Sequence, residues 1–212
     1  MQKHITNDTT LGIWECSESL FLDLENVCLT KKDHDKYDKI KTESGQKQFV
    51  GVRLLLHHLF PTIENIELEK MANGKPYVKG LNEKISISHT GNYVAVLISK
   101  SKDVGVDIEL IGDKAIKVKN KYMSDRELEM LDKMEPALRK EYSHLLWGAK
   151  EALFKLHSKG GVSFRNNLLL APFEYKPSGC FSGNITINNT KINCELNYFK
   201  IRNYMVVCAL ES

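Results

Sequence analysis

The sequence predicts an α+β chain of two similar halves, each a helix packed on a mainly antiparallel sheet. Two observations carry this reading. Short runs alternate or stay apolar as strands do, while two longer segments keep helical apolar spacing. The order helix-then-hairpins also occurs twice within 212 residues. The halves divide at 1–102 and 103–212, and a site at the seam between them is natural, since clefts gather at domain interfaces. No residue-level repetition is visible, so the duplication rests on element order alone.

Leu11 to Trp14 reads as a short first strand, with Trp14 a core residue. A charged stretch from Lys31 to Lys41 precedes a helix whose apolar positions 49, 52, 55, 56 and 59 share a face, with Pro61 as the stop. Asn73-Gly74-Lys75-Pro76 signals a turn. Lys84 to Ser88 alternates as a half-buried strand, and His89-Thr90-Gly91-Asn92 reads as the next turn. Tyr93 to Ile98, apolar on both faces, reads as a central strand. Val104 to Glu109 follows as another strand.

In the second half a helix is expected over 136–157, ending at the glycines of Lys159-Gly160-Gly161. Strands are expected at 162–165, 171–176, 184–188, 191–200 and 203–210. Tyr142, Leu145, Leu146, Ala149, Ala152, Leu153 and Leu156 form the broad apolar face of the helix. Trp147, Lys150, Glu151, Phe154 and Lys155 lie opposite, and two bulky aromatics there imply a second buried face.

A hydrophobic fraction of 42% and a charged fraction of 27% describe a soluble globular chain, and a net charge of +3 is too small to argue for nucleic acid. Cys16, Cys28, Cys180, Cys194 and Cys208 are odd in number, with no C-x-x-C pair, which points away from zinc or a disulfide framework and towards a reducing cytoplasm. The polar N-terminus lacks a signal-peptide core, and no apolar run is long enough for a bilayer. The expectation is a cytoplasmic protein without membrane partners. Lys114, Lys117, Lys119 and Lys121 crowd one segment, most simply a solvated basic loop.

The chemistry sits in two motifs. In Val104-Gly105-Val106-Asp107-Ile108-Glu109, alternation puts both carboxylates on one face, where they repel unless a cation or proton intervenes. On the helix, Glu151 and Lys155 are neighbours one turn apart. Three carboxylates from two elements, with a lysine beside the third, suit a hard divalent cation holding a phosphate.

Together these residues resemble the 4′-phosphopantetheinyl transferase superfamily, in its larger, surfactin-synthetase-activating type. The family's strand motif is matched at Val104–Glu109 and its W-x-x-K-E-A-x-x-K helix motif at Trp147–Lys155. The chain is also similar at Gly74-Lys75-Pro76, Ser86-Ile87-Ser88-His89-Thr90-Gly91, Glu127, and Lys159 to Phe164. Gln48 departs from the acidic residue common among relatives, and Leu110 to Lys121 has little family character. The resemblance implies two α+β halves about a pseudo-twofold axis, with coenzyme A between them. It implies transfer of the phosphopantetheine arm to a serine of an acyl, polyketide or peptidyl carrier protein, with release of 3′,5′-ADP. An internally duplicated chain lets a monomer build such a site.

By the same resemblance, Asp107, Glu109 and Glu151 hold Mg²⁺, with Mn²⁺ compatible with the same oxygen ligands. Glu151 is also the candidate base for the serine, directly or through water. Lys155 contacts the leaving phosphates, and Lys150 either joins it or forms a structural ion pair. Ser88 and His89 belong to the phosphate-binding turn, Lys75 reaches the coenzyme, and Lys47 and Arg53 are candidates for its 3′-phosphate. The basic segment's lysines can instead meet an acidic carrier surface. Competing readings are a Mg²⁺-dependent pyrophosphate hydrolase and a non-catalytic binding module for coenzyme A or carrier protein.

Overall fold

A computed structural model describes residues 1–16 and 29–212, so Cys28 lies outside the described residues. The chain divides into two compact units, Met1–Ser101 and Lys102–Ser212. Each is a helix-covered antiparallel sheet, an α+β arrangement.

In the first unit, β1 (Gln2–Thr6) and β2 (Thr9–Glu15) form a hairpin, so the polar N-terminus joins the sheet as an edge strand that its charge pattern does not announce. Two helices follow, α1 (Lys31–Tyr37) and α2 (Glu43–Leu59). The charged stretch is thus partly helical, capped by Thr30, whose hydroxyl accepts the Asp33 N–H. A small hairpin of β3 (Leu68–Lys70) and β4 (Pro76–Val78) turns at Gly74, whose φ of 85° suits glycine. β5 (Lys84–Thr90) and β6 (Tyr93–Ser99) complete a sheet of order β1-β2-β6-β5. β6 is central, as its apolar faces require. Val50, Leu55 and Leu56 of α2 bury against Val94 and Val96, with Trp14 packed at the edge of that core.

The second unit begins with β7 (Val104–Leu110). The basic segment is not a loop but two short helical turns, α3 (Lys114–Lys117) and α4 (Lys119–Tyr122), anchored by the buried Ala115 and Tyr122. Then comes α5 (Asp125–Lys133), opened by a reciprocal capping box between Ser124 and Glu127. The long helix α6 (Arg139–His157) ends at Ser158, which takes the left-handed position at φ 50°, so the stop precedes the glycines expected to supply it. Residues 162–165 are not a strand. The short β8 (Leu168–Leu170) stands in place of the strands expected at 162–165 and 171–176, while the one expected at 184–188 falls within β9 (Ser178–Ile187) except for its last residue. The aromatics of 171–176, Phe173 and Tyr175, instead pack around Tyr142. β10 (Thr190–Ile201) and β11 (Tyr204–Glu211) close a sheet of order β7-β11-β10-β9-β8.

One connectivity recurs: strand, helix, then a hairpin whose last strand inserts beside the first. It is β2–α2–β5–β6 in one unit and β7–α6–β10–β11 in the other. Among the described residues no helix is long and apolar enough to cross a membrane.

Candidate active site

The site is built where β7 crosses α6. Odd-numbered residues of β7 face the helix, because a Cβ on Gly105 would meet the α6 backbone, 2.8 Å from Leu156 N. The strand runs against the helix direction, so Asp107 and Glu109 meet progressively earlier turns. Lys155 Nζ donates to Asp107 Oδ1 at 2.8 Å and to Val106 O at 3.1 Å. Gly148 stands beside Asp107, where a Cβ would come within 3.4 Å of Oδ2. The Trp147 indole N–H donates to Glu109. The even-numbered Val104, Val106 and Ile108 are buried on the other face.

Electrostatics agree with that convergence. Burial first, then the facing Asp107, pushes the Glu109 carboxyl above its ordinary range. The same two causes raise Glu151, with Glu109 adding to them. Lys155 offsets part of this repulsion. It hydrogen-bonds across to the strand, and it also pulls the Glu151 carboxyl down, as the spacing of one helical turn suggests. Trp147 and Phe154 are half-buried against Phe164, with ring centroids 6.0 and 5.4 Å away, so the second helix face is covered as expected.

Among the described residues, no three histidine, cysteine or acidic side chains are gathered closely enough to ligate one metal ion. The donor chemistry nonetheless fits a hard divalent cation: three carboxylates that raise one another's proton affinity, with a lysine in place on the first. Asp107, Glu109 and Glu151 are the residues that would hold it.

Other expectations change. Lys150 is not open to phosphate. It is fully buried, and its Nζ donates to Glu127 Oε2 at 2.6 Å, Tyr122 O at 2.7 Å and Phe164 O at 2.8 Å, which uses all three donors. Arg53 is likewise a buried ion pair, its Nη2 2.8 Å from Asp33 Oδ1 and its guanidinium 3.5 Å from the Phe49 ring centre, so the reading as a 3′-phosphate contact gives way. His89 does not sit in a turn that gathers N–H groups. It is an exposed residue of β5 opposite Val94, and the turn proper is Gly91–Asn92. Ser88 is buried opposite Ala95 in the same strand. Lys75 is largely buried in the β3–β4 turn. Lys47 pairs with Glu43 at 2.6 Å, one turn back along α2.

Two contacts were not anticipated. Gln48 Nε2 donates to Gly91 O at 2.9 Å, tying α2 to the turn after His89. His144 is buried, with Gly112 N–H donating to its Nε2 at 3.0 Å. Neither pairing carries a local sequence signal. Of the Glu127–Lys150 pair only the Ser124–Glu127 cap is announced locally, by the capping-box signature Ser124-x-x-Glu127, and the contact with Lys150 is not.

A family model described as the 4′-phosphopantetheinyl transferase superfamily matches residues 103–208, half of the chain and nearly all of the second unit. The 4′-phosphopantetheinyl transferase psf-1 of Bacillus pumilus is 33% identical over 66% of this chain. That match spans 59% of the Bacillus protein, less than two thirds of its length. The slr0495 protein of Synechocystis sp. is 22% identical over 78% of this chain and 73% of its own. The crystal structure of a holo-(acyl-carrier-protein) synthase from Thermotoga maritima is similar at 16% identity, covering 53% of this chain and 64% of that one with a TM-score of 0.43.

Proposed function

The chain belongs to the 4′-phosphopantetheinyl transferase superfamily, and from that premise we propose that it transfers the phosphopantetheine arm of coenzyme A to a serine of a carrier protein. The observation that carries this reading is the acidic face of β7 laid against Glu151 and Lys155 of α6. The serine oxygen attacks the pantetheine-side phosphorus of the pyrophosphate. A new phosphoester forms there, the bond to 3′,5′-ADP breaks, and the serine proton leaves to a base.

Glu151 is that base. Burial and Asp107 raise its carboxyl in the metal-free protein, a cation on the trio would lower it again, and the serine proton reaches it directly or through a water. Lys155 supplies positive charge to the 5′-phosphate of the departing 3′,5′-ADP while steadying Asp107. Asp107, Glu109 and Glu151 would hold Mg²⁺, which would supply charge neutralisation and Lewis acidity at the pyrophosphate. Lys75, Ser88 and His89 of the first unit remain coenzyme contacts by resemblance alone, and Lys47 stays a candidate for the 3′-phosphate. The acceptor of the phosphopantetheine arm is a carrier protein of the acyl, polyketide or peptidyl kind.

Intact-mass spectrometry of an apo carrier protein incubated with this chain, coenzyme A and Mg²⁺ tests the proposal. The expected result is a gain of one phosphopantetheine that disappears with chelator. Loss of coenzyme A without a mass gain would instead favour a hydrolase. Binding without turnover would favour the non-catalytic module.

A further inference from the structure

The two units share more than strand order. Gly12 in β2 and Gly105 in β7 both face a crossing helix: a Cβ on Gly12 would come 2.7 Å from Leu55, and one on Gly105 2.8 Å from Leu156 N. Each helix answers with its own glycine. A Cβ on Gly51 would lie 3.3 Å from Val94, and one on Gly148 3.2 Å from Val207. The registers correspond too. Val94 pairs with Trp14, two residues after Gly12, and Val207 pairs with Asp107, two residues after Gly105.

A buried cation stands two residues beyond each helix glycine, on an acid three residues after a hydroxyl N-cap. Arg53 meets Asp33 at 2.8 Å, under the Thr30 cap, and Lys150 meets Glu127 at 2.6 Å, under the Ser124 cap. The module therefore occurs twice at residue level. Counted from the shared glycines, the first-unit counterparts of Asp107, Glu109, Glu151 and Lys155 are Trp14, Cys16, Leu54 and His58. No acid stands at any of the three corresponding positions, yet the clamp is present. A cation retained where those acids are missing serves the packing of helix on neighbouring helix rather than a phosphate.

We infer that the Glu127–Lys150 pair is the clamp that positions Glu151, and that Lys150 is a positioning residue. Its three hydrogen bonds tie α6 to α4, to α5 and to the segment after α6, all from the residue next to Glu151. Glu127 extends the brace by accepting the Leu170 N–H of β8 at 3.2 Å. This rests on the role assigned to Glu151 above.

The test compares wild type, Glu127→Gln, and the double variant Glu127→Leu/Lys150→Met, which replaces both charges with apolar groups and so avoids an unpaired buried charge. Mg²⁺ binding is read by calorimetry, and kcat is separated from KM for coenzyme A. Supporting partners of metal ligands typically account for about 10–100-fold in affinity or activity. Both variants are therefore expected to bind Mg²⁺ more weakly by roughly that factor, with kcat lowered and KM for coenzyme A within about twofold. A raised KM with unchanged Mg²⁺ affinity would make Lys150 a phosphate contact and overturn the inference. So would a double variant that folds with wild-type metal affinity and kcat, since the pair would then contribute stability alone. If wild type modifies no carrier, the proposed activity falls, while the calorimetry still decides whether the clamp sets the metal ligands.

Discussion

At the scale of the residue, the carboxylates were legible and their partners were not. Strand alternation is enough to put Asp107 and Glu109 on one face, because the period of two leaves no other choice. Nothing local says that Lys155 will turn to Asp107, or that Lys150 will find Glu127, since helix spacing names neighbours on one helix and not across elements. Glu151→Gln separates function from stability at this scale. Transfer should fall by about 10²–10⁴-fold, the usual contribution of a positioned general base. Stability should move the other way. A carboxyl whose folded pKa is raised binds more protons folded than unfolded, so ionising it weakens the fold as pH rises from its ordinary 4.5. The glutamine variant should thus melt higher than wild type near neutral pH without divalent cation, and the gap should close as pH falls to about that value. An unchanged melting temperature at pH 7 would remove the repulsion attributed to the trio. His144 has the opposite sign. Burial lowers its pKa below the ordinary 6.5, so it costs stability as pH drops through that value, and His144→Gln should flatten the acid limb of a melting-against-pH curve.

At the scale of the element, amphipathic helices and alternating strands were found, and irregular segments were not. α2, β6, β7 and α6 follow their periods closely. The strands expected at 162–165 and 171–176 failed because their aromatics pack as loop residues around Trp147 and Tyr142, a tertiary use that a β-rich composition imitates. α5 went unread although Ser124-x-x-Glu127 marks its start, because its strongly charged run hides a single buried leucine, Leu131. Among the described glycines, Gly105 of β7 leaves the least room, directly under the α6 backbone. Gly105→Ala should destabilise by at least the roughly 1–3 kcal/mol typical of overpacking, since its contacts are helix backbone and cannot rotate away. Denaturant midpoints measure this, with Gly160→Ala, which meets nothing within 4 Å, as the neutral control. An equal response of the two would mean that α6 does not ride on the strand at Gly105.

At the scale of the whole chain, duplication was legible as element order and illegible as sequence. What repeats is sparse: a strand glycine, a helix glycine, and a capped acid meeting a buried cation. The identities drift, Arg53 for Lys150 and Asp33 for Glu127, while the positions hold. Where the second unit has Glu109, the first has Cys16, whose thiol burial pushes up to about 11 and so keeps uncharged. The chain therefore carries one set of acids on two copies of a scaffold, and its ligands should act unequally on the two units. Hydrogen exchange reads this directly, because a ligand that binds only the folded state slows opening of the segments it holds. Mg²⁺ alone should protect amides of β7 and the Glu151 turn of α6, and leave those of β2 and α2 unchanged. Coenzyme A with Mg²⁺ should extend protection to the Lys75 turn and to Ser88–His89 in β5. Protection by coenzyme A confined to the second unit would remove Lys75, Ser88 and His89 from the coenzyme contacts. Protection of β2 and α2 by Mg²⁺ alone would show that the first unit binds metal despite lacking the acids, and would break the asymmetry on which a single transfer site depends.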